Sequence, residues 1–189
     1  IVEFLSAEFE DISWVADARA MELKNFTVED LMEINKSNLK LKHLTVGLES
    51  GSNRIAEEIY KKGKGHCDNY LGMAEKLSQA NIQLTSGCIF GAPTETADDL
   101  YETLEFVSKV KKIHHDFKLS TTFFRPLPGT DLYEFVKSFG IEFPNTLDGW
   151  AKLEGITHFE YNRWMSVPWM NSEEEKKYLK AYKDFIGAH

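Results

Sequence analysis

The chain has 189 residues, enough for one compact domain, and 42% of them are hydrophobic, which allows a sizeable buried core. With 22 basic and 30 acidic side chains the net charge is −8, which argues against a broad nucleic-acid-binding surface. No apolar run approaches the roughly 18 residues that a membrane helix needs, so the sequence predicts no membrane span. The two cysteines, Cys67 and Cys88, are too few for a disulfide framework or a four-ligand metal site, and they fit a reducing cytoplasm.

The predicted elements alternate between short apolar strands and longer amphipathic helices. In chain order, strands rich in β-branched and aromatic residues are predicted over 12–18, 42–48, 82–91 and 118–124. Helices are predicted to begin at or just after Thr27, Ser52, Asp68, Thr96 and Ser172. An acid follows three residues after Thr27, Thr96 and Ser172, which predicts capping boxes at these three helix starts.

The spacing of the strands predicts a parallel sheet. Neighbouring strands after the first start about 40 residues apart, which leaves room for a helical crossover between parallel strands. The sequence therefore predicts an α/β fold built of βα units over residues 1–140. After Gly140 the pattern becomes irregular and aromatic, and we interpret residues 141–189 as an extension with a terminal helix that packs on the βα units.

Polar residues gather in the loops that follow the strands. Ligands of parallel βα folds bind at the carboxyl ends of the strands, where these loops begin. The loop residues with suitable chemistry are Arg19, Glu49, Ser50, Ser52, Gly91, Glu95 and Arg125. Together they suit a zwitterionic small molecule, because serine hydroxyls and helix-start amides hold a carboxylate, and Glu49 accepts from an ammonium or from ribose hydroxyls. Glycines at this edge let the backbone approach a flat base.

Each of these residues also has a purely structural interpretation. Ser52 can be a helix cap without binding any ligand, and Glu49 can simply complement a helix dipole. Arg125 can form a surface ion pair. Elsewhere, the six histidines show no metal-ligand spacing, and His114 with His115 is interpreted as a solvated helix end. No P-loop, dinucleotide-binding or nucleophile-elbow motif is present in the sequence.

Five phrases of the sequence resemble the radical S-adenosylmethionine (SAM) enzymes, a superfamily of iron–sulfur proteins. The phrases are WVADAR, LTVGLESGSNRI, YKKGKG, IFGAPTETADDLYETLEF and FFRPLPGTDLYE, and they follow one another in the order and at the approximate spacing of that superfamily. The resemblance covers about residues 1–139, and it is closest to the branch whose members often carry a cobalamin-binding domain.

This resemblance implies a partial TIM-type (βα)6 barrel, here truncated to about four βα units. In such enzymes a [4Fe-4S] cluster binds the amino and carboxylate groups of SAM and cleaves SAM reductively to start radical chemistry on a small-molecule substrate. The resemblance further implies that GLESGS lies near the ribose and amino-acid portion of SAM, whereas GCIFGAPTE lies near the adenine. The residues predicted on this basis to bind the cofactor are Arg19, Glu49, Ser50, Ser52, Gly91, Glu95 and Arg125, and no catalytic residue is assigned.

Two features depart from the pattern of the superfamily. The cluster motif CxxxCxxC is absent from these 189 residues, and its usual place is upstream of Ile1. We therefore expect these residues to be a part of a longer enzyme and to pair with the upstream half of its barrel. This part lacks the cluster-binding cysteines. Alone, we expect it to be inactive and to bind SAM weakly. The second departure is Thr94, where many relatives have glycine, and a threonine there narrows the conformations of the loop. A truncated barrel also exposes the edge of the first strand, which predicts self-association.

Three interpretations of the function remain open. The first is a part of a radical SAM enzyme, such as a cobalamin-dependent methyltransferase or the anaerobic Mg-protoporphyrin monomethyl ester cyclase. The second is an aldolase-like barrel with acid/base chemistry at Glu49 or Glu95, although Lys42 and Lys118 lie at strand starts rather than at strand ends. The third is a small-molecule binding module without catalysis. The aromatic segment 143–170 is expected to help select the substrate.

Overall fold

Four parallel strands form the sheet on which the rest of the chain packs. The structure is a computed structural model that describes residues 12–36, 39–154 and 169–187. The strands are β1 (Ile12–Ala18), β2 (Leu39–Val46), β3 (Gln83–Phe90) and β4 (Phe117–Phe123). They pair in the order β1-β2-β3-β4, and every pair is parallel. The predicted α/β class and the parallel sheet are confirmed, and β2 begins and ends slightly earlier than predicted.

Helices connect the strands, as parallel pairing requires. The described α-helices are α1 (Val28–Lys36), α2 (His66–Gln79), α3 (Ala97–Ile113), α4 (Asp131–Lys137), α5 (Leu147–Glu154) and α6 (Ser172–Gly187). A single π-helical turn, Ile55–Ile59, lies between β2 and α2. The predicted capping box at Thr96 is confirmed, because its hydroxyl accepts from the N–H of Asp99 and its own N–H donates to the Asp99 carboxylate. Thr27 and Asp30 form the same reciprocal pair at the start of α1.

Two other predicted caps are wrong. The hydroxyl of Ser52 donates to Asp99 of α3 at 2.8 Å, and no side-chain hydrogen bond caps the helical turn that follows it. Ser172 is the first residue of α6 rather than its cap. Asn171 takes that role, since its side-chain oxygen accepts from the N–H groups of Glu173 and Glu174.

The core lies between one face of the sheet and the helices. Side chains of β3 alternate strictly, and those of Leu84, Ser86, Cys88 and Phe90 are fully buried. Ser86 identifies this face, because its hydroxyl bonds Tyr70 of α2. On the opposite face, strand register places polar side chains side by side in one row, and the row comprises Asp17, Thr45, Thr85 and Lys118.

The C-terminal helix α6 packs on the carboxyl half of the sheet. The ring of Tyr182 lies 5.3 Å from that of Phe90 and 4.7 Å from that of Phe123, in edge-to-face contacts. Tyr178 and Ala181 of the same helix are also buried. The predicted terminal helix therefore contacts the end of the sheet at which the candidate site was predicted.

Some predictions fail or lie outside the described residues. His114 was predicted to be solvated, but it is buried, with its Nε2 2.9 Å from the carbonyl oxygen of Ile82, whereas His115 is exposed. Residues 155–168 of the aromatic segment that was expected to help select the substrate lie outside the described residues. Among the helices that the structure describes, none combines the length and the apolar character needed to cross a membrane.

Strand β1 forms one edge of the described sheet, and Val15 on it is 57% exposed. An unpaired strand edge offers backbone donors and acceptors to another chain. We expect the 189-residue chain to self-associate in sedimentation velocity as its concentration rises, and we expect Val15→Lys to reduce that association. A single monomeric species of the unmodified chain at the highest concentration would contradict this expectation.

Candidate functional site

The predicted site residues follow the carboxyl ends of the four strands. Because the strands are parallel, these ends lie along one edge of the sheet. Arg19 follows β1, Glu49 to Ser52 follow β2, Gly91 to Glu95 follow β3, and Arg125 follows β4. The side chains of Arg19 and Arg125 are exposed, whereas those of Ser50, Ser52 and Glu95 are buried. The loops therefore share an edge, but their side chains have different surroundings.

Glu49 occupies a strained position at the end of β2. Its φ is 59°, in the left-handed region that non-glycine residues rarely adopt. The backbone is held there because its N–H donates to the carbonyl of Gly87 at 2.9 Å and its carbonyl accepts from Ile89 at 2.8 Å. The carboxylate folds back over Gly47 and accepts from Lys62 at 2.7 Å. A Cβ on Gly47 would lie 2.4 Å from the Glu49 carboxylate, so this arrangement requires the glycine.

A cationic pocket of about 330 Å³ lies beside Glu49 and Lys62. Its walls are formed by Arg19, Ala20, Met21, Glu22, Gly47, Tyr60, Lys61, Lys62 and His66. Burial lowers the pKa of His66, whose Nε2 lies 3.0 Å from the carbonyl oxygen of Leu48, so its ring is neutral at pH 7. Arg19, Lys61 and Lys62 supply positive charge, which Glu22 in the wall and Glu49 paired with Lys62 partly offset. The cations that remain suit a carboxylate or a phosphate.

The Ser-Gly-Ser segment after Glu49 joins the loop to α3. The hydroxyl of Ser50 lies 3.0 Å from that of Thr103, and the N–H of Gly51 donates to the same Thr103 hydroxyl. A Cβ on Gly51 would approach Thr103 and Phe106 to less than 3 Å, so the backbone contact depends on the glycine. The hydroxyls of Ser50 and Ser52 are thus occupied within the protein, and their predicted cofactor contacts stay a prediction.

Asp99 accepts hydrogen bonds from side chains of the loops after β2 and β3. Its carboxylate accepts from Arg54 at 2.5 Å and 3.2 Å, from Ser52 at 2.8 Å, and from Thr96 at 2.6 Å. Burial opposes ionisation, but the hydrogen bonds from Arg54, Thr96 and Ser52 outweigh it and lower the pKa of Asp99. Arg54 also donates to the carbonyl of Thr94 at 2.8 Å. The loops after β2 and β3 are therefore fastened to each other.

Glu95 lies fully buried below the turn that follows β3. Its Oε2 accepts from the N–H of Gly91 at 2.5 Å, from the N–H of Ala92 at 3.1 Å, and from the hydroxyl of Tyr178 at 2.6 Å. Its Oε1 has no hydrogen-bond partner among the described residues. Burial raises the pKa of Glu95 to about 7, although its hydrogen bonds act in the opposite direction. Sequence reasoning found Glu95 but missed Tyr178.

The turn between Gly91 and Glu95 is itself strained. Gly91 has a φ of 71° and Thr94 a φ of 65°, and the second value is unusual for a β-branched residue. A glycine would adopt the left-handed backbone of Thr94 more easily, and the narrowing of the loop by the threonine stays a prediction. The hydrogen bonds from Arg54 and the capping box at Thr96 hold the strained turn in place.

The two cysteines are not suited to metal binding. Cys67 and Cys88 are both buried and unpaired in the described part of the chain. Burial raises the pKa of the Cys67 thiol to about 12 and also raises the pKa of the Cys88 thiol. Within residues 12–36, 39–154 and 169–187, no three His, Cys, Asp or Glu side chains converge on one point as metal ligands would. The residues present therefore do not fit an iron–sulfur cluster.

Comparison with known proteins gives several relatives that match about half of this chain. The chain is 34% identical over 114 residues to the tRNA-2-methylthio-N(6)-dimethylallyladenosine synthase of Paracoccus denitrificans. This match covers 58% of the chain and 24% of that protein. The chain is also 36% identical over 106 residues to the enzyme of the same name from Pelagibacter ubique, and this match covers 54% of the chain and 22% of that protein. The chain thus spans about a quarter of the length of these curated relatives. No protein-family model matches it.

A solved structure agrees with the architecture. The coproporphyrinogen III oxidase of Escherichia coli, described as a radical SAM enzyme, matches 99% of this chain and 35% of its own chain with a TM-score of 0.55. The sequence identity is 11%, so this likeness concerns the fold. The relatives and the fold of this solved structure agree with the resemblance of the chain's motifs to the radical SAM enzymes.

Proposed function

We propose that this chain forms a SAM-binding part of a radical SAM catalytic domain. The observation that supports this most is the cationic pocket at the carboxyl edge of the sheet, next to the Glu49–Lys62 ion pair. An anionic group enters such a pocket favourably, and Glu49 offers an acceptor beside it. The chain carries a net charge of −8, so this group of cations is a local feature of the surface.

The residues present fit the parts of SAM differently. We assign the carboxylate of the amino-acid portion to Arg19 and Lys61, and the ribose hydroxyls or the ammonium to Glu49. The turn from Gly91 to Glu95 presents backbone groups that suit a flat base, because Gly91 has no side chain to keep the base away. When SAM and the cluster are bound, reductive cleavage of SAM supplies the radical chemistry. The residues of this chain bind and orient the cofactor.

The cluster ligands must come from other residues of the whole protein. The 189 residues contain two cysteines, and both are buried. We therefore propose that a cysteine motif elsewhere in a longer cytoplasmic protein holds the [4Fe-4S] cluster, and that the 189 residues alone are inactive. An upstream sequence with CxxxCxxC would support this proposal. A full-length protein without any such motif would favour a binding module that has no radical chemistry.

The names of the relatives indicate the class of substrate. These relatives are named as synthases of 2-methylthio-N(6)-dimethylallyladenosine in tRNA, so we propose methylthio transfer ahead of cobalamin-dependent methyl transfer and of the porphyrin cyclase. The polar row of Asp17, Thr45, Thr85 and Lys118 supports a hydrogen-bonding substrate rather than a hydrocarbon one. Incubation of the reconstituted full-length protein with tRNA tests the first reaction by the mass of the modified nucleoside, and an unchanged nucleoside would count against it.

The binding proposal is tested by titrating the chain with SAM and following the ligand by NMR. We expect weak binding, because the cluster supplies the remaining contacts, and we expect Arg19→Ala to weaken it about tenfold, as the loss of a charge-assisted hydrogen bond does. Lys112→Ala is the matched control, since Lys112 is an exposed cation in the last turn of α3, away from the pocket. Equal affinities of the three proteins, or tight binding by the isolated chain, would contradict the assignment.

A further inference from the structure

Tyr178 reaches from the C-terminal helix into the turn after β3. Its side chain is buried, and its hydroxyl donates to Oε2 of Glu95 at 2.6 Å. The N–H of Gly91 lies 2.7 Å from the same hydroxyl and 2.5 Å from the same carboxylate oxygen. Two acceptors, one from α6 and one from the turn itself, therefore meet at one backbone amide. The contact joins residues that are 83 positions apart in the sequence.

The position of α6 does not depend on this hydroxyl. The ring of Tyr182 packs on Phe90 and Phe123, and Ala181 is buried beside it. At the surface, Lys177 pairs with Asp98 at 3.0 Å. A variant that lacks only the Tyr178 hydroxyl keeps these apolar contacts, so its helix should remain docked.

We propose that Tyr178 is a positioning residue of the cofactor site. Together with Glu95 it fixes the N–H of Gly91, and thereby holds the turn from Gly91 to Glu95 in the shape that receives the cofactor. The C-terminal helix is on this account a component of the site, although its sequence lies outside the five phrases that carry the resemblance. The inference rests on the proposed function, because the turn is assigned there to SAM.

The need for such a restraint follows from the turn. Gly91 and Thr94 both have left-handed backbones, so the turn does not keep its shape through local preference alone. Within the described residues, Tyr178 provides the side-chain donor to Glu95, and the other Oε2 donors are the amides of the turn itself. Without the hydroxyl, the carboxylate loses its anchor to α6 and the Gly91 amide loses one of two acceptors.

The hydroxyl also couples the turn to the ionisation of Glu95. The hydrogen bond from Tyr178 lowers the pKa of Glu95, which burial raises to about 7. Asp99 acts on the same carboxyl as a nearby negative charge, and Tyr60 is a buried phenol close to it. Since Tyr60 and Asp99 are unchanged in a Tyr178→Phe variant, any further rise in the pKa of Glu95 reports the loss of this one donor.

The test follows the Gly91 amide of the 189-residue chain by NMR as the pH changes. In the unmodified chain we expect the Gly91 shift to titrate with a midpoint near the Glu95 pKa of about 7. Tyr178→Phe should move the midpoint to higher pH and speed the hydrogen exchange of Gly91, whereas Glu95→Gln should abolish the titration. Tyr182→Phe is the matched control, with the same change on the same helix, and it should leave the midpoint where it is.

A folded Tyr178→Phe variant with unchanged midpoint and unchanged Gly91 exchange would overturn the proposal. If that variant does not fold, the unmodified chain still decides, because the ring signals of Tyr178 and the amide of Gly91 must then titrate with one common midpoint. Two different midpoints would also overturn the proposal. If Tyr178 only stabilised the fold, Tyr178→Phe would lower stability without moving the Gly91 midpoint.

The cofactor is tested with SAM itself. We expect Tyr178→Phe to weaken SAM binding about fivefold relative to Tyr182→Phe, the effect of about one hydrogen bond. Equal affinity in the two variants would overturn the positioning role while the proposed function stands. If the unmodified chain binds no SAM, the proposed function fails, and the Gly91 titration still decides whether Tyr178 holds the turn.

Discussion

Replacement of Asp99 by alanine is expected to lower the free energy of unfolding by about 3 kcal/mol, at the lower end of the range for breaking a buried ion pair. The side chain of Asp99 is 7% exposed, and Arg54, Ser52 and Thr96 all donate to it. Alanine leaves the Ser52 hydroxyl buried without its acceptor and removes the capping box of α3. Because the side chain of Arg54 is 39% exposed, its charge regains some water contact, which limits the loss.

Urea unfolding of the two neighbouring variants, Asp99→Ala and Asp98→Ala, measures this effect. Asp98 is an 84% exposed carboxylate in the same helical turn and pairs only with Lys177 at the surface, so its replacement should leave stability nearly unchanged. The lowered pKa of Asp99 means that its contribution is present above the unfolded pKa of about 4 and is lost as pH falls below it. Similar midpoints for the two variants would show that the network contributes little.

Replacement of Glu95 by glutamine is expected to change how stability depends on pH. Burial raises the pKa of Glu95 to about 7, above its unfolded value, so the folded state holds its proton more tightly. The contribution of protonated Glu95 to stability is therefore fully present below about pH 4.5, and it is lost as pH rises to the folded pKa. The ionised carboxylate costs roughly 3 kcal/mol at pH 8, by the free energy of one pKa unit, and the neutral amide avoids that cost.

The measurement compares the free energies of unfolding of the two proteins at pH values from 5 to 8. The glutamine oxygen can still accept from Gly91 and Tyr178, so both proteins should keep the same turn. The difference between variant and parent should shift in favour of the variant by roughly 2 to 3 kcal/mol across this range. Parallel pH profiles would mean that Glu95 ionises without cost and that its burial has been overestimated.

Features that depend on nearby residues could be predicted from the sequence. Each strand is an apolar run with its own turn signals, and the caps at Thr27 and Thr96 act within three residues. The parallel arrangement followed from the spacing, because a helical crossover needs a fixed length of chain. The edge that carries Arg19, Glu49 and Arg125 followed from the topology in turn.

Features that depend on distant partners could not be predicted. The hydroxyl of Ser52 donates to Asp99, which lies 47 residues further along the chain. The hydroxyl of Tyr178 donates to Glu95 across 83 residues. A serine before a helix carries the same local signal whether it caps or not. His114 was misjudged for a similar reason, since its buried acceptor, the carbonyl of Ile82, belongs to another segment.

The central claim is that the carboxyl edge of the sheet binds SAM, and the most direct measurement maps SAM onto the isotope-labelled chain by NMR. The account predicts shift changes at Arg19, at Gly47 to Ser50 and at Gly91 to Glu95, with little change at the amino ends of the strands. Changes confined to that opposite end of the sheet, or no changes at saturating SAM, would contradict it.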